Sequence, residues 1–283
     1  MATESLNQEN AKFWNEPCGT TAAVSLSKNL KNSLNMENPV NINLFDSWYK
    51  KFYPYLFEYL EKLPLAGSSV LEIGVGYGTV SRFLSAKSNS LTILDIAPNA
   101  LDFVSKTIDI PNLKCINKSI LDLDIDTKYD VIVAIGSLHH TGDLEKALNK
   151  IEKMLTENGK LLVMVYYAFQ PRRLILHPVR TLKEFFQTIS SHSGGKYVFE
   201  EKDKKIRGMA DSNLAGEAAP YTSFSSRKLF MKRNGFQYET KLNNFHRIPV
   251  MSVIFRRNFA LKLFSKFFGC DIYALGSRIL SDK

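Results

Sequence analysis

The chain has 283 residues, 45% of them hydrophobic and 23% charged, with 15 Gly and 10 Pro. That balance excludes collagen-like, low-complexity and wholly disordered chains, and the length suits one large decorated domain or two small ones with a real core. The formal net charge of +9 is uneven: residues 1–166 carry 16 Lys and Arg against 19 Asp and Glu, a net −3, so residues 167–283 carry 21 against 9, a net +12.

Met1 to Asn10 is polar and acidic, and the longest apolar stretch, Leu161 to Phe169, is far short of the roughly 20 residues of a membrane span. Neither a leader nor a transmembrane helix is expected. Cys18, Cys115 and Cys270 form no CxxC pair and have no His partner at ligand spacing, so neither a disulfide framework nor a metal site is expected, and the cytoplasm is the expected compartment.

Residues 1–40, rich in Asn, Ser and Glu, predict an irregular or partly helical arm. From Asp46 to Leu63 the residues Trp48, Phe52, Tyr55, Leu56, Tyr59, Leu60 and Leu63 recur at helical spacing, and Pro64 ends the run. A βαβ rhythm then begins. Ser69–Ile73 predicts a buried strand, Gly74 to Gly78 a tight turn, and Thr79–Ala86 a helix. Strands are expected over Leu91–Leu94, Leu113–Ile116, Val131–Ile135 and Leu161–Tyr166, with a helix from Leu144 that Gly159 closes. Short apolar strands alternating with helices predict an α/β fold with a doubly wound, mostly parallel sheet. Beyond Tyr166 come a basic helical segment after Pro171, a Gly-, Lys- and Asp-rich stretch from Ser191 to Ala219, and a helix over Ser225–Lys232. Strands over Phe236–Leu242 and Tyr273–Leu280 flank a basic amphipathic helix, Asn258–Phe268. The expected division is an arm and lid helix over 1–67, an α/β core over 68–166, a cap over 167–221, and a second part of the core over 222–283 with a helical cap at 244–270.

Chemistry concentrates in Val70-Leu-Glu-Ile-Gly-Val-Gly-Tyr-Gly78. Glycines at 74, 76 and 78 let the backbone turn after a strand and approach a ligand, and Asp95 ends the next strand 21 residues after Gly74, where a carboxylate can accept a ribose diol. A dinucleotide site would carry G-x-G-x-x-G where this chain has G-x-G-x-G, and Glu72 beside the turn suits a cationic amine better than a pyrophosphate. Capping of loop amides is the plain structural alternative for Glu72. His139 and His140 follow the fourth strand at the same edge, where imidazole can serve as a base near neutral pH or simply shape the pocket.

The segments V-L-E-I-G-V-G-Y-G, L-T-I-L-D-I, Y-D-V-I-V-A-I-G-S-L-H-H-T and E-N-G-K-L-L-V-M-V, spanning about residues 68–166, resemble the successive motifs of class I S-adenosylmethionine-dependent methyltransferases. The tail with its last two strands is similar to strands six and seven of that seven-stranded fold. The opening F-W-N-E-P-C-G resembles bacterial methyltransferases associated with polysaccharide and natural-product genes. The resemblance implies S-adenosylmethionine as cofactor, with its methionine part against Gly74, Gly76 and Gly78, Glu72 behind it, and Gly136 lining the same side. It implies that Asp95 holds the ribose and Ile96 flanks the adenine, with Ser119 and Ile120 where such enzymes often carry an adenine-binding Asp. His139, and with it His140, falls where the family turns a group toward the acceptor. The expected function is methyl transfer to an oxygen or nitrogen of a small molecule, a natural product or saccharide intermediate, with the basic C-terminal part selecting an acidic or amphipathic acceptor. An RNA or protein methyltransferase docking through that part, and a nonenzymatic binding module, are the alternatives; nucleic acid is the less favoured partner because no Asn/Asp-Pro-Pro-Tyr/Phe follows the fourth strand.

Overall fold

A computed structural model describes residues 2–15, 39–190, 196–198, 211–212, 216–231, 233–244, 265–266 and 269–279. The elements are α1 (Ala2–Trp14), α2 (Pro39–Phe52), α3 (Pro54–Leu60), β1 (Ser69–Ile73), α4 (Thr79–Ser85), β2 (Ser90–Asp95), α5 (Pro98–Ser105), β3 (Leu113–Asn117), β4 (Tyr129–Ile135), α6 (Leu144–Lys153) and β5 (Leu155–Tyr166). After them come α7 (Pro171–Leu176), α8 (Pro178–Ser190), β6 (Lys196–Val198), β7 (Ser223–Ser225), α9 (Lys228–Met231), β8 (Phe236–Asn243) and β9 (Asp271–Arg278). Seven strands form one sheet in the order β3-β2-β1-β4-β5-β9-β8, and β6 pairs with β7 separately. The first five of the seven run parallel, while β9 is antiparallel to both β5 and β8. This is the expected doubly wound sheet.

Period-two alternation sorts the strand residues onto two cores. Leu71, Ile73, Ile132, Ala134, Leu161 and Val163 pack with Leu148 and Ile151 of α6 on one face. Val70, Val131, Val133, Leu162 and Met164 pack with Leu56 and Leu60 of α3 and Leu84 of α4 on the other. Both faces are apolar, which is why the strands read as continuous hydrophobic runs. Parallel crossovers leave the C-terminal ends of β1, β2 and β4 on one edge, and the ligand crevice of an open sheet opens there.

Several expected boundaries move. The single helix expected over Asp46–Leu63 is two helices, because Pro54 has no N–H to continue the ladder and Tyr53 adopts φ −120°, ψ 57°. Gly159 does not close a helix: α6 stops at Lys153, and Gly159 lies inside β5, where the pairing with β4 shifts register between Tyr129 and Val131. Ser225 belongs to β7, so the helix expected from that residue is shortened to α9. Of the expected helix Asn258–Phe268 only residues 265–266 are described, and they are helical; Arg256, Arg257 and Cys18 lie outside the described residues. Among the described residues no helix is long and apolar enough to cross a membrane.

Candidate active site

A cavity of about 670 Å³ opens at the strand ends, and Glu72, Gly74, Gly76, Asp95, Ile96, Ser119, Ile120, Gly136 and His140 all line it. Nine of the eleven residues expected at the site therefore meet around one space. Gly78 and His139 are not on its wall.

The turn after β1 is shaped by close packing. Gly74 has φ +81°, and a Cβ there would lie 2.3 Å from Ser137 Cβ, so the β1 turn and the β4 loop touch only because the side chain is missing. Ser137 Oγ seals the contact by donating to Ile73 O at 2.6 Å. Gly78 caps α4 in the left-handed region (φ +75°), and its Cβ would meet Val104 Cγ2 at 2.8 Å. Its glycine identity is thus explained by packing against α5, away from the cavity.

Asp95 binds the turn to its own loop: Oδ2 accepts from Val75 N and Oδ1 from Ala97 N, both at 2.8 Å. Burial raises its pKa, and the backbone N–H groups of Ala97, Val75, Ile96 and Gly76 pull it back down. Ser119 Oγ accepts from Leu121 N at 3.3 Å and its carbonyl from Asp122 N at 3.0 Å, capping the short turn after β3. Glu72 is 2% exposed, its Oε2 has no hydrogen-bond partner, and burial pushes its pKa up to about 8 against a downward pull from the Ser81 hydroxyl. Loop capping leaves this oxygen unaccounted for, and on a cavity wall it can meet a cationic or hydrogen-bonding ligand.

The far end is polar but enclosed. His140 Nδ1 lies 2.7 Å from Tyr221 O, a pairing that requires Nδ1–H to donate and leaves Nε2 as a lone pair. That Nε2 sits 3.5 Å from Asp211 Oδ2, and neither atom has a hydrogen-bond partner. Tyr166 OH donates to Asp211 Oδ1 at 2.8 Å. Burial lowers His140 to about 4 and raises Asp211 to about 7, so the imidazole is neutral at neutral pH. His139 is fully buried, its ring centroid 4.2 Å from that of His140 and 4.1 Å from that of Tyr166. Burial holds it well below the usual imidazole range, with the neighbouring His140 adding to the effect.

Two helices from the N-terminal part close the space. On α1, Asn10 Nδ2 donates to His140 O at 2.9 Å and Trp14 packs 4.9 Å from the His140 ring. On α2, Asp46 takes Arg82 Nη2 at 2.6 Å, Arg82 Nε at 2.7 Å and Thr79 Oγ1 at 2.5 Å, which latches the helix to α4 and sets Phe45 against Tyr77. Tyr49, Phe52 and Tyr53 complete an aromatic wall. Asn7, Asn10, Tyr166 and Asp211 were not legible as site residues: a polar arm carries no periodic signal, and Asp211 stands in a stretch of mixed charge 71 residues beyond His140. The L-H-H motif pointed to the right edge, but to His139 as the ring turned toward the acceptor, whereas His140 is the one on the cavity wall.

Residues 71–161 match the family described as Methyltransferase domain. An uncharacterized methyltransferase of Schizosaccharomyces pombe is 28% identical over 109 residues, 35% of this chain, which spans only 38% of that relative's length. A ubiquinone biosynthesis O-methyltransferase of Coxiella burnetii is 23% identical over 197 residues, covering 68% of this chain and 77% of the relative. Among solved structures, a SAM-dependent methyltransferase from Methanosarcina mazei superposes with a TM-score of 0.51 at 14% identity, covering 79% of this chain and 98% of that one. That likeness concerns the fold, and the strand order and the reversed β9 agree with it. Residues 71–161 thus carry a methyltransferase domain, set in a seven-stranded sheet with the class I methyltransferase fold whose glycine turn is flanked by Glu72 and Asp95.

Proposed function

We propose that this protein transfers a methyl group from S-adenosylmethionine to an oxygen or nitrogen of a small molecule held at the His140–Asp211 end of the cavity. One observation carries the reading: a single cavity joins the Glu72–Asp95 wall to that polar end. The residues suit the cofactor. Asp95 would hold the ribose, the orphan Oε2 of Glu72 would meet the methionine ammonium, Ile96, Ser119 and Ile120 would border the adenine, and Gly74, Gly76 and Gly136 would border the methionine part. When bound, the cofactor supplies an electrophilic methyl group for in-line displacement, so the protein's task is alignment and exclusion of water.

At the acceptor end, His140 Nε2 and Asp211 Oδ2 are the unpartnered polar atoms that can receive the acceptor's hydrogen. Holding that hydrogen aims a lone pair of the acceptor atom at the methyl group. Tyr221 O fixes the imidazole tautomer and Tyr166 fixes the carboxylate, so neither must reorganise when the acceptor arrives. The aromatic wall of Trp14, Tyr49, Phe52 and Tyr53 favours a flat, largely apolar acceptor over an open-chain polar one. Arriving there is easy for a small molecule and hard for a folded macromolecule, because α1 and α2 cover the site. The test is incubation with methyl-labelled S-adenosylmethionine and a panel of hydroxylated aromatics, amines and saccharides, reading both label transfer and S-adenosylhomocysteine binding by calorimetry. A protein that binds neither cofactor form would sink the proposal; transfer to RNA or protein alone would move it to the docking alternative.

A further inference from the structure

The cavity's polar end contains a grouping that methyl transfer by alignment leaves unexplained. His139, His140 and Asp211 are all buried, and each offers an atom within 4.8 Å of the others. Both ring nitrogens of His139, Nε2 of His140 and Oδ2 of Asp211 have no hydrogen-bond partner. Buried polar groups are rarely left unpaired, and a bond to the acceptor would account for two of these four atoms while leaving His139 stranded behind the wall.

We propose that His139, His140 and Asp211 form a binding site for one divalent transition-metal ion of the zinc, cobalt or iron(II) class, with its open coordination positions facing the cavity. Two imidazoles and one carboxylate are the donor set of such ions, whereas magnesium and calcium favour all-oxygen sites. The separation of His140 Nε2 from Asp211 Oδ2, 3.5 Å, is long for a hydrogen bond. It matches the edge of about 3.4 Å between two ligands held tetrahedrally at about 2.1 Å from one ion. His139 has to turn a ring nitrogen inward to complete the set, and no existing hydrogen bond of that ring opposes the turn.

The outer partners fit as well. A ligating histidine characteristically donates its other N–H to a carbonyl or carboxylate, and His140 Nδ1 faces Tyr221 O at 2.7 Å. Tyr166 OH engages Oδ1 of Asp211 and leaves Oδ2 turned toward the imidazole. Tyr166 also packs on the His139 ring, so one side chain braces two of the three ligands. Because His140 and Asp211 lie on the cavity wall, an acceptor oxygen can enter the ion's coordination shell, the ion then standing in place of the direct hydrogen bonds to Nε2 and Oδ2. That consequence rests on the proposed function; binding of the ion does not.

The test uses the full-length protein stripped with a chelator and titrated with cobalt(II), followed by its visible absorption, with zinc(II) competition and metal analysis after gel filtration. One ion per chain is expected, with affinity lowered at least about a hundredfold in both H139A and D211N. S-adenosylhomocysteine binding, which uses none of these three residues, reports whether each variant has folded. X-ray absorption at the cobalt edge of the unaltered protein should show imidazole and oxygen ligands, and it decides the matter if both variants fail to fold. No retained ion, undiminished binding in folded variants, or a sulfur-rich or all-water shell would each overturn the site. Failure to bind S-adenosylhomocysteine with the ion still bound would instead remove the proposed function and leave the metal site standing.

Discussion

Replacing Glu72 by Gln tests the cofactor site through its charge alone, because the two side chains have nearly the same shape. In the ligand-free protein burial pushes Glu72 up to about 8, so at pH 6 roughly one molecule in a hundred carries the carboxylate. A methionine ammonium set against the ionised form gains a charge-assisted interaction of about 1.5–3 kcal/mol, or roughly ten- to a hundredfold in affinity. The ratio of wild-type to E72Q affinity for S-adenosylhomocysteine should therefore be about 1 at pH 6, rise by up to about tenfold per pH unit, and level off near pH 8 to 9. Taking the ratio cancels the titration of the ligand's own amine. Calorimetry at several pH values, in pairs of buffers with different ionisation enthalpies, should also detect a proton released on binding by the wild type and not by the variant. Stability gives an independent reading. A carboxyl whose folded pKa lies above its usual 4.5 leaves the folded state at its most stable below that value and destabilises it as pH rises toward about 8. The slope is up to about 1.4 kcal/mol per unit, and E72Q should lose it. Parallel affinity profiles with parallel stability curves would show that Glu72 neither titrates in this range nor meets the ammonium.

Asp95→Ala removes the diol contact and the acceptor of the Val75 and Ala97 amides, and should lower cofactor affinity by roughly ten- to a hundredfold in calorimetry. Gly78→Ala places a Cβ 2.8 Å from Val104 Cγ2 at φ +75°, so denaturant unfolding should show a loss of about 1–3 kcal/mol while the folded fraction binds S-adenosylhomocysteine normally. Asp46→Ala strands Arg82 and frees α2, and should raise the cofactor dissociation rate in stopped flow with a stability loss of about 1–3 kcal/mol. His140→Ala should cut kcat by about a hundredfold with S-adenosylhomocysteine affinity held within about twofold; loss of affinity instead would make His140 a cofactor wall.

The half of the cavity proposed for the cofactor was legible because it is local. Strand β1, the turn and β2 occupy Ser69 to Asp95, so the apolar runs, the glycine spacing and the two carboxylates all lie within one βαβ unit. Within such a unit the chain order dictates the spatial order, and Glu72, Gly74, Gly76 and Asp95 reach the same cavity without help from distant segments. Gly78 shows where pattern and cause part: its place in the G-x-G-x-G run suggested a ligand contact, but the neighbour that demands a glycine is Val104. Gly159 misled for a related reason, since a glycine after an apolar helical stripe looks like a C-cap until pairing with β4 draws it into β5.

The half proposed for the acceptor could not be read the same way, because separate segments meet there only after folding. Asn10 and Trp14 come from α1, His140 from the β4 loop, Tyr166 from the end of β5, and Asp211 from beyond α8. No spacing rule links residues 140 and 211, since the path between them runs through α6, β5, α7, α8 and β6 and a stretch whose composition suits a surface loop. The sequence nevertheless contained a discrepancy that the fold explains. Two adjacent histidines at a strand end should place one ring toward the crevice and one away, and imidazole is an unusual choice for a position sealed from solvent, where desolvation opposes its charge. Leucine or phenylalanine would fill the space behind the wall without leaving orphan nitrogens. A histidine retained there, braced by Tyr166 and facing His140 and Asp211, points to something that uses its lone pair, and a metal ion is the ligand that reaches both rings at once.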